Sequence, residues 1–245
     1  MMKKAIKARM IVKAILPKSF RRWMSKSGGG ENLAYFEHRS VSETFSEIYR
    51  NNVWGGEAGA FYSGDGSEIK FTKFYVDAVN EILRQLKPNK VVDIGCGDFR
   101  VASQFVNPSF KYIGLDVVPE LIDHHNAKFA NATTEFRVLD ATSQELPDGD
   151  ICLIRQVLQH LSNSEIQKIL EKCRKFGHLI ITEHFPPESV ELIPNLDMPH
   201  GANTRIRRNS AVCVDREPFS LENGKEIANV TSDDGSRIIT FHFRQ

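Results

Sequence analysis

The stretch VVDIGCGDFR, residues 91–100, decides how this sequence folds. An apolar, β-branched run ends on two glycines, Gly95 and Gly97. A nucleotide-binding crossover begins this way, because glycine lets the backbone turn sharply and come close to a ligand. The third glycine of the dinucleotide fingerprint is missing, and Phe99 and Arg100 stand near where it would fall. Acids flank the turn at Asp93 and Asp98, where a pyrophosphate would be repelled. The expected ligand is nucleotide-like but brings a cationic part to this turn.

Outward from that stretch the pattern alternates. EIKFTKFYVDAVNEILRQL ahead of Pro88 carries apolar residues at helical spacing. Strands are expected at 91–95, 112–118, 136–140, 151–158 (running into a loop) and 178–185. Helices are expected to start at Phe99 and to cover 120–129 and 164–176. Such alternation implies a parallel sheet covered on both faces. GKEIANV and RIITFHF, joined by SDDGS, read as an antiparallel hairpin at the end of the chain.

With 245 residues, 41% hydrophobic and 26% charged, the chain suits one soluble domain with appendages. A formal net charge of +1 gives no global argument for nucleic acid. Four scattered cysteines, with no metal-like spacing, point to a reduced, cytoplasmic setting. No apolar run approaches the roughly 20 residues that span a bilayer. Residues 1–30 form a basic extension ending in a Ser-Gly-Gly-Gly hinge, and residues 1–27 hold nine lysines and arginines and no acid. As a helix, residues 4–16 put Ala5, Ala8, Ile11, Val12, Ile15 and Leu16 on one side, which suits a peripheral contact with an anionic membrane. A solvated or partner-packed helix fits the same residues.

Three strand ends carry an aspartate: Asp93, Asp116 and Asp140. In an open parallel sheet ligands sit beyond the carboxyl ends of the strands. Asp116 lies 19 residues after Gly97, a separation suited to accepting hydrogen bonds from ribose hydroxyls. Asp140 could accept from the exocyclic amine of a base, and Asp93 suits an ammonium or its ordered water. Adenine, ribose and an amino acid without phosphate make S-adenosylmethionine. The plain alternative for each acid alone is a helix or loop cap.

Over residues 67–245 the chain resembles the class I S-adenosylmethionine-dependent methyltransferases. VVDIGCG is similar to their first motif, GLD (114–116) to the ribose-binding acid and LDA (139–141) to the adenine-side motif. ICLIRQVLQHL resembles their fourth strand and following loop. The resemblance implies a Rossmann-like α/β three-layer sandwich whose mostly parallel seven-stranded sheet ends in an antiparallel hairpin. It implies cofactor contacts at Asp93, Gly95, Cys96, Gly97, Asp116, Val117, Asp140, Ala141 and Arg155. Asp98-Phe99 departs from the small residue and glycine of many members. Trp54-Gly55-Gly56 with SGDGS (63–67) resembles bacterial methyltransferases of surface-glycan synthesis, which implies that residues 31–66 close over the cofactor as a lid. A surface turn with Trp54 on the core is the other reading.

A sulfonium methyl is already electrophilic, so the protein must mainly align an acceptor, and a hydroxyl acceptor adds the need for a base. His160, in the loop after the fourth strand, and His184, at the end of the fifth, are the candidate bases; a structural brace is the alternative for His160. The insertion at 185–219, with Asn195, Asp197, His200, Asn203, Arg205, Arg207 and Arg208, is the expected binding region for a small-molecule or glycan-like acceptor. The expected activity is methylation of an oxygen on such an acceptor. A module that binds the cofactor without turnover is one alternative. A nicotinamide oxidoreductase is disfavoured by the missing glycine and by Asp93. Nucleic-acid methylation through the basic N-terminus is disfavoured because Arg155-Gln156-Val157-Leu158 stands where an amino-methylating tetrapeptide would.

Overall fold

The computed structural model describes residues 39–57 and 59–245, so the basic extension, its 4–16 helix and its membrane contact lie outside the described residues. Helix α1 (Val41–Arg50) opens the described chain, and its start is fixed by a capping box in which Ser40 and Glu43 satisfy each other's backbone N–H groups. Helix α2 (Ile69–Leu86) follows and ends at Lys87 in the left-handed region, just before Pro88.

Nine strands then follow: β1 (Lys90–Ile94), β2 (Lys111–Asp116), β3 (Thr134–Val138), β4 (Ile151–Arg155), β5 (His178–Phe185), β6 (Ile193–Pro194), β7 (Ser210–Ala211), β8 (Gly224–Thr231) and β9 (Arg237–Arg244). Helix α3 (Pro119–Lys128) joins β2 to β3, and α4 (Asn163–Cys173) joins β4 to β5. Seven strands make one sheet in the order β3-β2-β1-β4-β5-β9-β8. β1 to β5 are parallel, while β9 runs antiparallel to both β5 and β8. This is the Rossmann-like three-layer sandwich with a C-terminal hairpin that the resemblance implied.

The strands buried on both faces read as continuous apolar runs, as in Ile151-Cys152-Leu153-Ile154. On one face Tyr75, Val76, Val79, Ile82 and Leu83 of α2 pack on Val91, Tyr112, Ile151, Leu153 and Ile180. On the other, Cys173 of α4 meets Cys152 of β4, their sulfurs 3.9 Å apart as free thiols. The order in which strands are added reverses between the parallel β1 and β4, and a crevice opens beyond their carboxyl ends.

Two expectations need correction. No full helix begins at Phe99; only a 3-10 turn at Ala102–Gln104 forms. Phe99 itself sits at φ 62°, outside the helical region, and Pro108 follows too soon for a long helix. The insertion after β5 is not a loop without structure. β6 and β7 pair in parallel, and the buried Asn195 side chain bonds the backbones of Cys213 and Glu217.

The strained backbone at Phe99 is held by its ring, which contacts Tyr112, Phe129 and Phe136 at centroid distances of 5.6, 5.2 and 4.9 Å. Phe99→Ala empties that aromatic cluster without easing the positive φ. We expect a loss of about 3–5 kcal/mol, read as a lower denaturant midpoint at unchanged slope.

Candidate active site

The β1 tip turns through Gly95 (φ 69°) and Gly97 (φ 55°), with the N–H groups of Gly95 and Cys96 both donating to the Leu115 carbonyl. A Cβ on Gly95 would stand 2.4 Å from Val157 Cγ2, and one on Gly97 2.5 Å from Ser63 Oγ. Both glycines are therefore required by chain packing as well as by their positive φ.

A cleft of about 1060 Å³, open to solvent, lies over this turn. Asp93, Gly95, Cys96, Gly97, Asp116, Val117, Asp140, Ala141 and Arg155 all line it, as does His160. Asp93 is buried and accepts from the Tyr112 hydroxyl at 2.7 Å. Burial pushes its carboxyl up to about 7; the Asp116 charge adds to that, while the Tyr112 bond and the Arg155 charge oppose it. Asp116 accepts from Gly97 N–H at 3.1 Å and Val118 N–H at 3.2 Å, one on each oxygen. Burial lifts it to about 6 against those bonds. A carboxylate has about four lone-pair sites, so each of its oxygens keeps capacity for a ligand hydroxyl.

Asp140 is more occupied. Its oxygens accept from Thr142 N–H, Thr142 Oγ and Ser143 Oγ at 2.7–2.9 Å, so it caps its own turn as well as lining the cleft. Arg155 donates to the Gly66 carbonyl at 2.7 Å and to Gln156 Oε1 at 3.1 Å, and lies over the Tyr75 ring. Its Nε is buried and has no partner.

Residues 39–67 close one side of the cleft. Ser42 donates to the Val117 carbonyl at 2.6 Å, and Tyr49 and Ser63 share a hydrogen bond at 2.8 Å. Ser63 N–H bonds Asp98 Oδ2 while Asp98 N–H bonds Ser63 Oγ. Asp98-Phe99 thus has two uses in place of a small residue and glycine: Asp98 fastens residues 39–67, and Phe99 fills the aromatic cluster. Phe45 and Trp54 line the cleft beside the His160 ring, at 6.3 and 5.1 Å, while Tyr49, packed on Trp54, turns its hydroxyl toward Ser63 at the glycine turn. Trp54 Nε1 donates to the Ala202 carbonyl at 3.1 Å and so joins this segment to the insertion.

His160 Nδ1 lies 3.2 Å from the carbonyls of Gly201 and Asn203, which can only accept, so Nδ1 carries the hydrogen. Nε2 is then the lone-pair side, with the Gln159 amide 3.3 Å away. Burial lowers the ring to about 4, although the two carbonyls favour its charged form. His184 does not line the cleft, and its Nε2 pairs with Ser236 Oγ at 2.8 Å.

Several polar residues expected to bind an acceptor serve the insertion itself. Asn195 holds its turn, Asp197 accepts from Asn163 and Met198 N–H groups, and His200 pairs with Glu165 at 2.7 Å. Arg205 is 1% exposed and fully engaged. The sequence reading missed α1, although Ser40-x-x-Glu43 is a capping-box signal, and it missed the burial of Glu183 and Arg205, for which no local signal exists.

Residues 91–176, from β1 through α4, match the profile of a methyltransferase domain family. No curated protein matches the chain in sequence. The N-methyltransferase NodS from Bradyrhizobium japonicum WM9, solved with S-adenosyl-l-homocysteine, is 14% identical over 73% of this chain and 88% of its own, with a TM-score of 0.53. Human N-acetylserotonin methyltransferase, solved with S-adenosylmethionine, is 15% identical over 93% and 68%, with a TM-score of 0.55. The N-terminal domain of EvdMO1, solved in the presence of S-adenosylhomocysteine and D-fucose, is 13% identical over 84% and 99%, with a TM-score of 0.51. At these identities the likeness is one of fold.

A carboxyl raised from 3.8 to about 7 is protonated in the fold while the unfolded chain is already ionised, so its burial costs stability as pH rises from 4 to 7 and by a constant amount above. Each tenfold change in proton affinity is worth about 1.4 kcal/mol. Asp93→Asn should therefore stabilise the ligand-free protein by a few kcal/mol at pH 8 and by little at pH 4. Thermal midpoints at the two pH values check this.

Proposed function

We propose that this class I S-adenosylmethionine-dependent methyltransferase methylates an oxygen of a small, sugar-like acceptor bound at the aromatic end of the cleft. The observation that carries the reading is the pair of buried carboxylates, Asp93 and Asp116, which face one cleft from neighbouring strand tips. Burial raises the proton affinity of both, Asp93 to about 7 and Asp116 to about 6, and a cation or hydroxyl donors brought by a ligand would favour the ionised form of each. Arg155, with its unpartnered Nε, offers an anion site in the same cleft.

In this reading Asp93 faces the ammonium of the methionine portion and Arg155 its carboxylate. Asp116 accepts from the ribose hydroxyls, and the 139–142 turn, with Asp140 and Ala141, flanks the adenine. When bound, the cofactor supplies an electrophilic sulfonium methyl. The chain's own part is alignment and exclusion of water, for which the closed 39–67 segment is suited. His160 Nε2 is the proton-accepting atom. Its Nδ1–H is anchored on two carbonyls that would stabilise the imidazolium, the orientation a general base requires. A proton affinity near 4 leaves Nε2 unprotonated across the neutral range.

Phe45, Tyr49 and Trp54 present flat apolar faces of the kind that pack on the ring face of a sugar, and EvdMO1 was solved in the presence of one. Cytoplasmic location and membrane contact through residues 1–27 rest on sequence alone. Among the described residues no helix is long and apolar enough to cross a membrane.

Calorimetry with S-adenosylmethionine, followed by labelled-methyl transfer to a panel of sugars and nucleotide sugars, tests the function. Binding without transfer to any acceptor would favour a non-catalytic module. Asp116→Ala should weaken the cofactor by about 1–3 kcal/mol, the cost of losing charged hydrogen bonds, and unchanged affinity would remove Asp116 from the site. His160→Ala should lower kcat about 10²–10⁴-fold with cofactor affinity intact; full activity would leave His160 only its bracing role.

A further inference from the structure

Glu183, near the end of β5, is 2% exposed, and Arg205, in the insertion, is 1% exposed. Neither lines the cleft, yet both grip the turn that follows β4. Glu183 Oε1 accepts from Leu158 N–H and Oε2 from Gln159 N–H, each at 3.1 Å. Arg205 takes the carbonyls of that turn: Nη1 donates to Leu158 at 3.3 Å and Gln159 at 3.1 Å, and Nη2 donates to Leu161 at 2.7 Å. Nη2 also reaches Asn163 Oδ1 at 3.0 Å, at the start of α4, and Nε holds the Leu196 carbonyl at 3.0 Å. The 3-10 turn Leu158–His160 is therefore held through its N–H groups by one buried acid and through its carbonyls by one buried base.

We propose that Glu183 and Arg205 are positioning residues for methyl transfer, which clamp the 158–161 turn so that Val157 and His160 stand fixed at the acceptor end of the cleft. The inference rests on the functional reading above and adds to it the source of rigidity in the acceptor-facing wall. Burying a carboxyl and a guanidinium is a costly way to hold a turn, since apolar packing of similar volume is commonly as stable or more so. Burial pushes the Glu183 carboxyl up to about 8, against the opposing Arg205 charge and the Leu158 and Gln159 N–H groups. What the polar groups add is directional: five bonds of 2.7–3.3 Å to neighbouring peptide groups allow one orientation of the turn. His160, which lines the cleft, depends on that orientation, because its Nδ1 meets the carbonyls of Gly201 and Asn203 while Nε2 lies 3.3 Å from the Gln159 amide of the same turn. A displacement of about 1 Å at a reacting group can cost on the order of a hundredfold in rate.

The experiment uses the full chain and the variant Glu183→Gln, whose amide can accept from one N–H but turns its own NH₂ toward the other. Methyl transfer is measured at saturating cofactor and acceptor, well below the variant's melting midpoint. Cofactor affinity comes from calorimetry, and exchange of the Leu158 and Gln159 amides is followed in the S-adenosylmethionine complex. We expect kcat to fall about tenfold to a hundredfold, cofactor Kd to stay within about twofold, and those two amides to exchange faster. Arg205→Lys, which keeps the charge but not the fork, should act in the same direction and serves if Glu183→Gln does not fold. A kcat within twofold of the parent's while the amides exchange faster would overturn the positioning role. Cofactor affinity falling in step with the rate would overturn it as well. A parent protein that binds cofactor but transfers to no acceptor would instead sink the functional reading, and amide exchange would still report whether the clamp holds the turn.

Discussion

Two carboxylates forced out of water beside one another, Asp93 and Asp116, set the terms for the rest of the molecule. They close neighbouring parallel strands, one side of a glycine turn too tight for any side chain. A buried acid without a full complement of donors is expensive. The surroundings only partly meet that cost, with a tyrosine hydroxyl for one acid and two backbone N–H groups for the other. The shortfall leaves both acids with raised proton affinities, Asp93 at about 7 and Asp116 at about 6, in the lining of one cleft. Ligand-free stability is lowered by that burial once the pH passes the ordinary carboxylate range.

Around that pair the architecture is arranged in clasps. Residues 39–67 fasten to the strand tips through Ser42, Ser63 and Gly66, and to the insertion through Trp54. The insertion in turn grips the turn after β4 through Arg205, opposite Glu183. The cleft wall around Trp54 and His160 is thus built from segments distant in sequence, each held by partners the others supply.

That division explains what could be read in advance. The strands and helices of the nucleotide half are legible because each reports a local cause: a β-branched run, a helical spacing, a glycine at a positive φ, an acid at a strand tip. β5 falls where HLIITEHF placed it, and the hairpin brackets SDDGS. The insertion after β5 is not legible, because its causes are long-range. Arg205 reads as a surface arginine until the turn it binds is folded beneath it, and Asn195 reads as a loop residue until Cys213 and Glu217 come around it. Phe99 lies between the two cases: its positive φ is invisible in sequence and is sustained by rings from β2, β3 and the end of α3.

The clasps share a lopsided construction. Ser42, Trp54, Arg155, Lys172, Lys175 and Arg205 each reach with a side chain toward a main-chain oxygen, on Val117, Ala202, Gly66, Ala141, Leu146 and Leu161 respectively. A peptide oxygen is present whatever residue occupies the position, so only one partner of each contact is exposed to mutation. Chains that drift at every receiving position can keep the same closure, and a lineage built this way can wander far in letters while holding its shape.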